Sequence, residues 1–493
     1  MIEASKFKPY IQNQPMLLPP DIREFIDPRA QMWLVDEYVE RMDIGKIAER
    51  YSYLGQKAYD PRLMLKLLFY GYMNGITSSR QIARAAISHV EFIYLSGFQR
   101  PDFRTINRFR KDNLAELKEL LSTFTDMMVR EGVITLKRVS VDSTQMKANA
   151  SSWDARRLSD WEKIKKDIDE EIERYLKECE ETDRREDSEL GEHDGYSLPE
   201  KLRDKARRSK AIDSAVKRVK ARLENERGKK VDKDSRFSTT DPDARTIARH
   251  GKTILGYNAQ IAVEHQSRMI VCARVPHTIT DQGELIPNIK GVEETVGRLP
   301  DEVLADPGYA SGKSFEEAES MGVKAYVKEK PSGRKGRYFK KEAFKYNPDE
   351  DSFTCPQGKV LRRSWENQDV VLYKASEKEC EKCPMRERCF NTRNHKAMTI
   401  LTDHHERARQ NLRKRMAQDT AKTLYKERGR TVESVIGFIK EVMGIRGFRL
   451  RGHDSVECEW AIIALAYNMK RLHGIRMLQG QENKGRILAP VSS

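Results

Sequence analysis

The first 135 residues alternate short apolar-periodic stretches with joints that carry Gly or Pro. VDEYVERM, PRLMLKLLFYGYMNG, SSRQIARAAISHVEFIYLSG and TINRFRKDNLAELKELLSTFTDMMVREG each repeat apolar residues at three- and four-residue steps, the spacing of helices with one buried stripe. Pro61 suits a first helical turn, Gly75 a helix stop, and Ser78 or Ser79 a cap, so this part predicts a bundle of short helices. At 134–142 the pattern changes. ITLKRVSVD alternates and is rich in β-branched residues, which predicts a strand ending on Asp142. Downstream, ILGYNAQIAVEHQSRMIVCARVPHT reads as two strands around the joint EHQSR, and EVLAD at 302–306 and AYVKEK at 325–330 as two more. Between these regions Trp161, Ile164, Ile168, Ile172 and Tyr175, then Leu202, Ala206, Ile212, Val216, Val219 and Leu223, step helically on either side of the acidic connector ETDRREDSELGEHDG. That predicts an antiparallel helical hairpin, and VECEWAIIALAYNMKRLHG predicts an apolar helix packed on a core.

Strands separated by helical stretches define an α/β chain. Its expected parts are an N-terminal helical region (1–133), a core in three pieces (134–154, 236–330, 401–475), a helical insertion (155–235), a Cys-rich insertion (331–400) and a frayed tail (476–493).

Charge narrows the function. The chain carries 91 Lys and Arg against 76 Asp and Glu, a formal net +15, so its expected partner is a polyanion, and nucleic acid is the commonest. The segment from His404 to Arg451 alone contributes a net +8. Arg104, Arg108, Arg110 and Lys111 crowd one short helix in the N-terminal region, which reads either as a phosphate-binding face or as a solvated one. The helical insertion has the same two sides, a structural arm or, through RDKARRSK at 203–210, a contact with DNA or a second subunit. No stretch reaches the ~20 apolar residues of a membrane span, and the first residues lack a hydrophobic signal core, so a cytoplasmic, nucleoid-associated protein is expected.

Seven cysteines, an odd number, do not suggest a disulfide framework. Cys355, the Cys380-x-x-Cys383 pair and Cys389 have the spacing of a tetrahedral structural zinc site, whose ion would fold an insertion too loop-rich to form a core alone. The other reading is four reduced thiols. Cys179, Cys272 and Cys458 lack partners in sequence. His404 and His405 read as surface residues, His277 as a turn residue, and Asp281 as a candidate neighbour of a catalytic site.

Asp142, Asp306 and Glu433 are the candidate chemistry. Taken singly, each has an ordinary reading as a turn, cap or surface residue. Together they offer hard oxygen ligands on rigid elements, which two-metal phosphodiester chemistry with Mg²⁺ or Mn²⁺ requires. The motifs VDSTQMKANAS (141–151), STTDPDAR (238–245), GYNAQIAVE (256–264), ADPGYAS (305–311) and YKERGRTVESVIGFIKEVMGIRGFRLRG (425–452) resemble, in this order, those of DDE-type transposases of bacterial insertion sequences. The last resembles the Tyr-Arg-Glu-Lys signature of one branch, carried here by Tyr425, Arg428, Glu433 and Lys440, although Arg428 lies one residue farther from Glu433 than is usual, so that Arg430 competes for its role. The resemblance implies a ribonuclease H-like core, with catalytic Asp142, Asp306 and Glu433 holding two Mg²⁺ or Mn²⁺ ions. It further implies phosphate contacts by Tyr425, Arg428, Arg430 and Lys440, with Lys147, Arg104 and Arg108 as further candidates. The activity it implies is cleavage of double-stranded DNA at inverted terminal repeats and joining of the 3′-hydroxyl ends to target DNA, by a homodimer. Spacing puts Glu433 and Lys440 on one helical face. Two other functions use the same residues, a transposase-derived DNA-binding protein without catalysis and a metal-dependent nuclease without strand transfer.

Overall fold

The computed structural model describes residues 21–51, 57–190, 200–227, 234–249, 252–329, 338–390 and 395–487, and of 179–190, 200–201, 225–227, 249, 252 and 480–487 only the backbone. The acidic connector from 191 onward, the side chain of Cys179 and the last six residues therefore lie outside the described residues. The chain divides into two compact units, one holding residues up to 71 with 76–109, the other 72–75 with residues from 110 onward.

The first unit is built from short helices: α1 (Met32–Arg41), α2 (Gly45–Ala48), α3 (Pro61–Met73), α4 (Ser79–Ser88), α5 (Val90–Leu95) and α6 (Phe103–Asp112). Pro61 occupies the first turn of α3, and Ser78 the capping position of α4, where its side chain makes no cap hydrogen bond. Leu34, Val35, Tyr38 and Val39 of α1 and Leu63, Met64, Leu67 and Leu68 of α3 are buried, the stripes that three- and four-residue spacing dictates. Lys66 reaches back to Asp36 and Glu40 on α1, at 2.6 and 2.5 Å.

The second unit opens with α7 (Leu114–Arg130), then β1 (Arg138–Lys147). After β1 come β2 (Arg156–Arg157), α8 (Leu158–Leu190), α9 (Glu200–Arg227) and β3 (Arg236–Phe237). Trp161 and Ile168 of α8 pack with Ile212, Val216, Val219 and Leu223 of α9, and Phe237 on β3 closes the base of this helical pair. Then follow β4 (Arg245–Arg249), β5 (Lys252–Glu264), β6 (Ile270–Arg274), α10 (Leu285–Val296), β7 (Glu302–Ala305), α11 (Gly312–Ser320) and β8 (Lys324–Val327).

These strands form a mixed sheet in the order β5-β1-β7-β8, with β4 and β6 sharing the outer edge of β5. β5 runs antiparallel to β1, whereas β7 runs parallel to β1 and β8 parallel to β7. Strand β1 does not end on Asp142. Alternating burial continues through Thr144 and Met146, and pairing with β5 extends to Lys147 opposite Gly256, so Asp142 sits in mid-strand.

Residues 338–402 also depart from expectation. They fold as an antiparallel meander of β9 (Lys345–Asn347), β10 (Ser352–Thr354), β11 (Val360–Glu366), β12 (Val371–Ala375) and β13 (Thr399–Thr402), with α12 (Glu377–Glu381) and α13 (Arg386–Cys389) between the last two strands. Phe344, Phe353, Leu361, Val371, Tyr373, Phe390, Met398 and Ile400 give this segment its own apolar core. An ion is not needed to supply one.

The chain closes with α14 (Glu406–Met416), α15 (Asp419–Gly437) continued by a π-helical turn at Phe438–Val442, and α16 (His453–Ile487). Backbone helix thus extends well past residue 476. α16 is buried along Val456–Met469 and packs on α7 and β6, while α15 lies along β1. No helix among the described residues is long and apolar enough to cross a membrane.

Candidate active site

Asp142 projects from the middle of β1, and Asp306 follows directly on β7, its parallel neighbour, where Val141 pairs with Ala305. Adjacent parallel strands therefore bring two carboxylates from residues 164 apart in sequence to one place. Asp142 Oδ1 accepts the Ser143 N–H at 2.8 Å, and its Oδ2 takes the Arg428 guanidinium at 3.0 Å. Burial raises the Asp142 pKa above the ordinary aspartate value and the Asp306 charge adds to this, against the Ser143 N–H and the Arg428 cation. Asp306 also caps the turn Pro307–Tyr309, accepting the Gly308 N–H at 2.6 Å. The turn reading of this residue is realised, in a place where it stands beside Asp142.

A third carboxylate lies beside the pair, and it is Asp281. A Cβ placed on Gly308 would sit 2.7 Å from Asp306 Oδ1 and 3.4 Å from Asp281 Oδ2, so glycine lets the two acids flank the turn. Asp281 Oδ1 accepts the side-chain amides of Asn258 at 3.0 Å and Gln260 at 2.8 Å. Gln260 Oε1 in turn accepts the Tyr309 hydroxyl at 2.5 Å and the Asn288 amide at 3.0 Å. Gln260, Asn288 and Tyr309 are fully buried, so this network is the rigid floor beneath the Asp306 turn. Burial, with the charges of Asp281, Asp142 and Asp306, pushes the Tyr309 phenol far up, which keeps it a neutral donor.

Helix α15 supplies the other side. Arg428 meets Asp142, and Tyr425, three residues earlier, is buried with the Lys328 ammonium 4.6 Å from its ring centre. Burial raises the Tyr425 pKa, and Asp306 contributes, which sets this ring near the aspartates. Lys440, in the π turn, donates to Thr144 Oγ1 and to the Gln145 carbonyl on β1, the latter at 3.1 Å. Arg428 and Lys440 thus reach β1, as does Glu427, which pairs with Arg138 at 3.9 Å.

Glu433 is exposed, lies over Gly429 one turn back, and makes no hydrogen bond or ion pair among the described residues. The widened π turn changes the angular offset between 433 and 440, so the shared face expected from regular α-helical spacing is not what Lys440 uses. Arg430 is exposed on the same helix. Lys147 is exposed at the end of β1, where the Phe448 N–H bonds its carbonyl at 2.8 Å and brings the loop bearing Arg446, Arg449 and Arg451 alongside.

Among the other expected cations, Arg104 and Arg108 are exposed on α6 in the first unit. Arg110 is not a surface cation. It belongs to the second unit, is 3% exposed, and donates to the Tyr72 hydroxyl at 2.9 Å, which donates to Glu459 at 3.0 Å.

By donor chemistry Asp142 and Asp306 fit a hard divalent cation: paired, mostly buried carboxylates on adjacent strands, whose mutual repulsion a cation relieves. The full three-carboxylate set is not assembled, for no group of three or more His, Cys, Asp or Glu among the described residues is arranged to hold a metal ion. The same finding covers the cysteines. Cys355, Cys380 and Cys389 pack around the meander core, none of the four cysteines is in a disulfide, and among the described residues no three of them are grouped to hold an ion, so no zinc is assigned. Burial pushes the Cys272 and Cys458 thiols up to about 12, which makes them inert core residues. His404 and His405 bond the Asn367 carbonyl and Glu316, both at 2.7 Å.

Residues 354–473 match the family model of the transposase DDE domain, and residues 20–112 that of a transposase domain (DUF772). Both segments are thus similar to transposase domains. Together they indicate a DDE-type insertion-sequence transposase. The first match covers Tyr425, Arg428, Glu433 and Lys440, whereas Asp142 and Asp306 lie outside both. No curated protein and no solved structure matches the chain.

Proposed function

We propose that the chain cleaves DNA at the ends of an insertion sequence and joins the resulting 3′-hydroxyls to target DNA, on a ribonuclease H-like core. The strand order β6-β5-β1-β7-β8, antiparallel on one side of β1 and parallel on the other, supports that fold. The observation that carries the function is the convergence of Asp142 and Asp306 on adjacent parallel strands opposite Arg428.

In the first step a water oxygen bonds to the scissile phosphorus, the bond to the 3′ oxygen breaks, and that oxygen leaves as a hydroxyl. In the second the 3′-hydroxyl attacks a target phosphodiester and displaces its 3′ oxygen. Asp142 and Asp306, with Glu433 as the proposed third carboxylate, would hold divalent cations, Mg²⁺ or Mn²⁺, which when bound would supply activation of the attacking oxygen and charge relief on the leaving one. Asp142 and Asp306 hold the hard oxygen donors in place, and Glu433 is the proposed third carboxylate, on the helix that already delivers Arg428. Arg428 balances the pair before DNA arrives and afterwards faces phosphate, while Arg430 and Lys147, both exposed, hold the strands on either side. Lys440 positions β1 through Thr144 and Gln145. Arg104 and Arg108 are proposed contacts of the first unit with the terminal repeat, and two coordinately joined ends imply a homodimer.

A pre-cut end carrying a free 3′-hydroxyl separates transposase from nuclease. Joined products in Mg²⁺ support the proposal, and cleavage of uncut DNA with no joining selects the nuclease. The ion pair between Arg428 and Asp142 favours a second reading, a DNA-binding protein whose acids are permanently neutralised. That protein binds the ends and neither cuts nor joins.

A further inference from the structure

We propose that Arg428 makes divalent-cation binding at Asp142 conditional on DNA: in the protein alone its guanidinium competes with the cation for the carboxylate, and a DNA phosphate draws the guanidinium away. The inference rests on the transposase reading and deepens it, because it fixes the order in which DNA and metal bind.

Both oxygens of Asp142 are engaged. Oδ1 accepts the Ser143 N–H at 2.8 Å, and Oδ2 accepts Nη1 of Arg428 at 3.0 Å. Arg428 is the one cation bonded to Asp142 among the described residues, and Asp306 is in no ion pair there. The two side chains of the pair keep only 14% and 17% of their surface exposed, so water and salt screen their charges little. A divalent cation drawn to this carboxylate therefore meets a guanidinium charge fixed at hydrogen-bond distance from one of the oxygens it needs. Like charges at that range lower its affinity.

The contact is also of a kind that DNA can displace. A single nitrogen of the planar guanidinium fork meets Asp142, whereas a phosphate takes two N–H groups in parallel. Arg428 is carried on α15 and not on the sheet, so its turning leaves β1 and β7, with their two carboxylates, in register. Lys440 still ties the same helix segment to Thr144 and the Gln145 carbonyl, which keeps α15 against β1. Once the guanidinium faces phosphate, Asp142 and Asp306 stand side by side with no bonded cation, and the pull on a divalent ion rises. Linkage makes the effect mutual, so the ion strengthens DNA binding by the same factor. A permanently neutralised site differs in one respect: its ion pair persists on DNA.

The test is Mn²⁺ binding to the full chain, read from the electron-spin resonance of the free ion, on ice, with and without a duplex bearing the element's own ends. Binding that is lost in the Asp142→Asn, Asp306→Asn double variant, measured with the same duplex, defines the site and removes ions held by the DNA. Wild type is expected to gain about tenfold or more in site affinity when DNA is added. Arg428→Gln is expected to show a gain of similar size without DNA and little further gain with it. The wild-type comparison stands should Arg428→Gln not fold, which circular dichroism reports. Site affinity in wild type that is the same with and without DNA, or folded Arg428→Gln that binds Mn²⁺ no more tightly than wild type, overturns the gate and leaves the transposase reading standing. A wild-type chain that binds the duplex yet holds no Mn²⁺ at the two aspartates overturns both.

Discussion

Gln260→Leu tests the floor of the candidate site, because one buried amide there serves three neighbours. Its Oε1 accepts from Tyr309 and Asn288 and its Nε2 donates to Asp281, while its backbone carbonyl, retained in the variant, accepts the Trp460 indole N–H at 2.8 Å. Leucine has nearly the same shape and removes the side-chain bonds. Two buried donors, the Tyr309 hydroxyl and one Asn288 N–H, then lose their acceptor, at about 1–3 kcal/mol each, so the expected loss is about 2–6 kcal/mol. Asp281 keeps the Asn258 amide and is the least affected member. Urea unfolding followed by far-UV circular dichroism measures the cost as a lower midpoint at unchanged slope. Gln260→Glu separates packing from polarity. At neutral pH it sets a second carboxylate against Asp281, so it is expected to be less stable than the leucine variant, and to recover as falling pH protonates one of the two acids and restores a donor. A leucine variant within 0.5 kcal/mol of wild type, or a Glu variant that loses stability on acidification relative to it, refutes the network account.

Four further outcomes follow from the geometry. Asp142→Asn is expected to raise the melting temperature at pH 7 while abolishing cleavage: the folded pKa of Asp142 is raised, so the stability it contributes is present below the unfolded pKa and lost as pH rises through the folded one, and differential scanning calorimetry will show the variant's advantage shrinking toward pH 4. Arg110→Met leaves the Tyr72–Glu459 pair without its buried cation and is expected to cost about 3–5 kcal/mol in urea unfolding, whereas exposed Arg108→Ala is expected to change stability by less than about 0.5 kcal/mol. Gly256→Ala places a Cβ 2.4 Å from the Met146 carbonyl oxygen on the catalytic strand, and is expected to yield little soluble protein, which expression and gel filtration will show. Chelation by EDTA is expected to leave the melting transition of the β9–β13 segment unchanged, since its aromatic core stands without metal; a fall on chelation, with zinc detected by atomic absorption, restores the zinc reading.

Legibility in the sequence followed the kind of signal. Helices with one apolar stripe and strands of alternating or continuous β-branched residues were readable, because burial on one face imposes the period that the sequence displays. Asp142 and Asp306 stood out as candidates because they end or interrupt such runs within the motifs that carry the family resemblance. The meander at 345–402 was missed: its strands are three to seven residues long, and outward positions such as Arg362, Arg363 and Lys374 break the apolar pattern, so the cysteines drew the eye instead. Arg110 departed from expectation. A charged residue next to other charges looks exposed in sequence, yet a hydroxyl and a carboxylate from distant segments can take a guanidinium into the core. The π turn at 438–442 has no counterpart in an ideal helical wheel, so the angle between 433 and 440 was not legible. Asn258 and Gln260 had a signal that was passed over, two amides at i and i+2 on one face of an otherwise apolar strand.

The central claim is that Asp142, Asp306 and Glu433 together perform metal-dependent DNA cleavage. The most direct test is cleavage of a labelled fragment bearing the element's own ends in Mg²⁺, with wild type beside Asp142→Ala, Asp306→Ala and Glu433→Ala, and DNA binding measured for all four. The account predicts that wild type cuts and that each variant binds DNA without cutting. Equal binding by all four with no cleavage under Mg²⁺ or Mn²⁺ contradicts it, and cleavage by Glu433→Ala at the wild-type rate removes the third carboxylate from the mechanism.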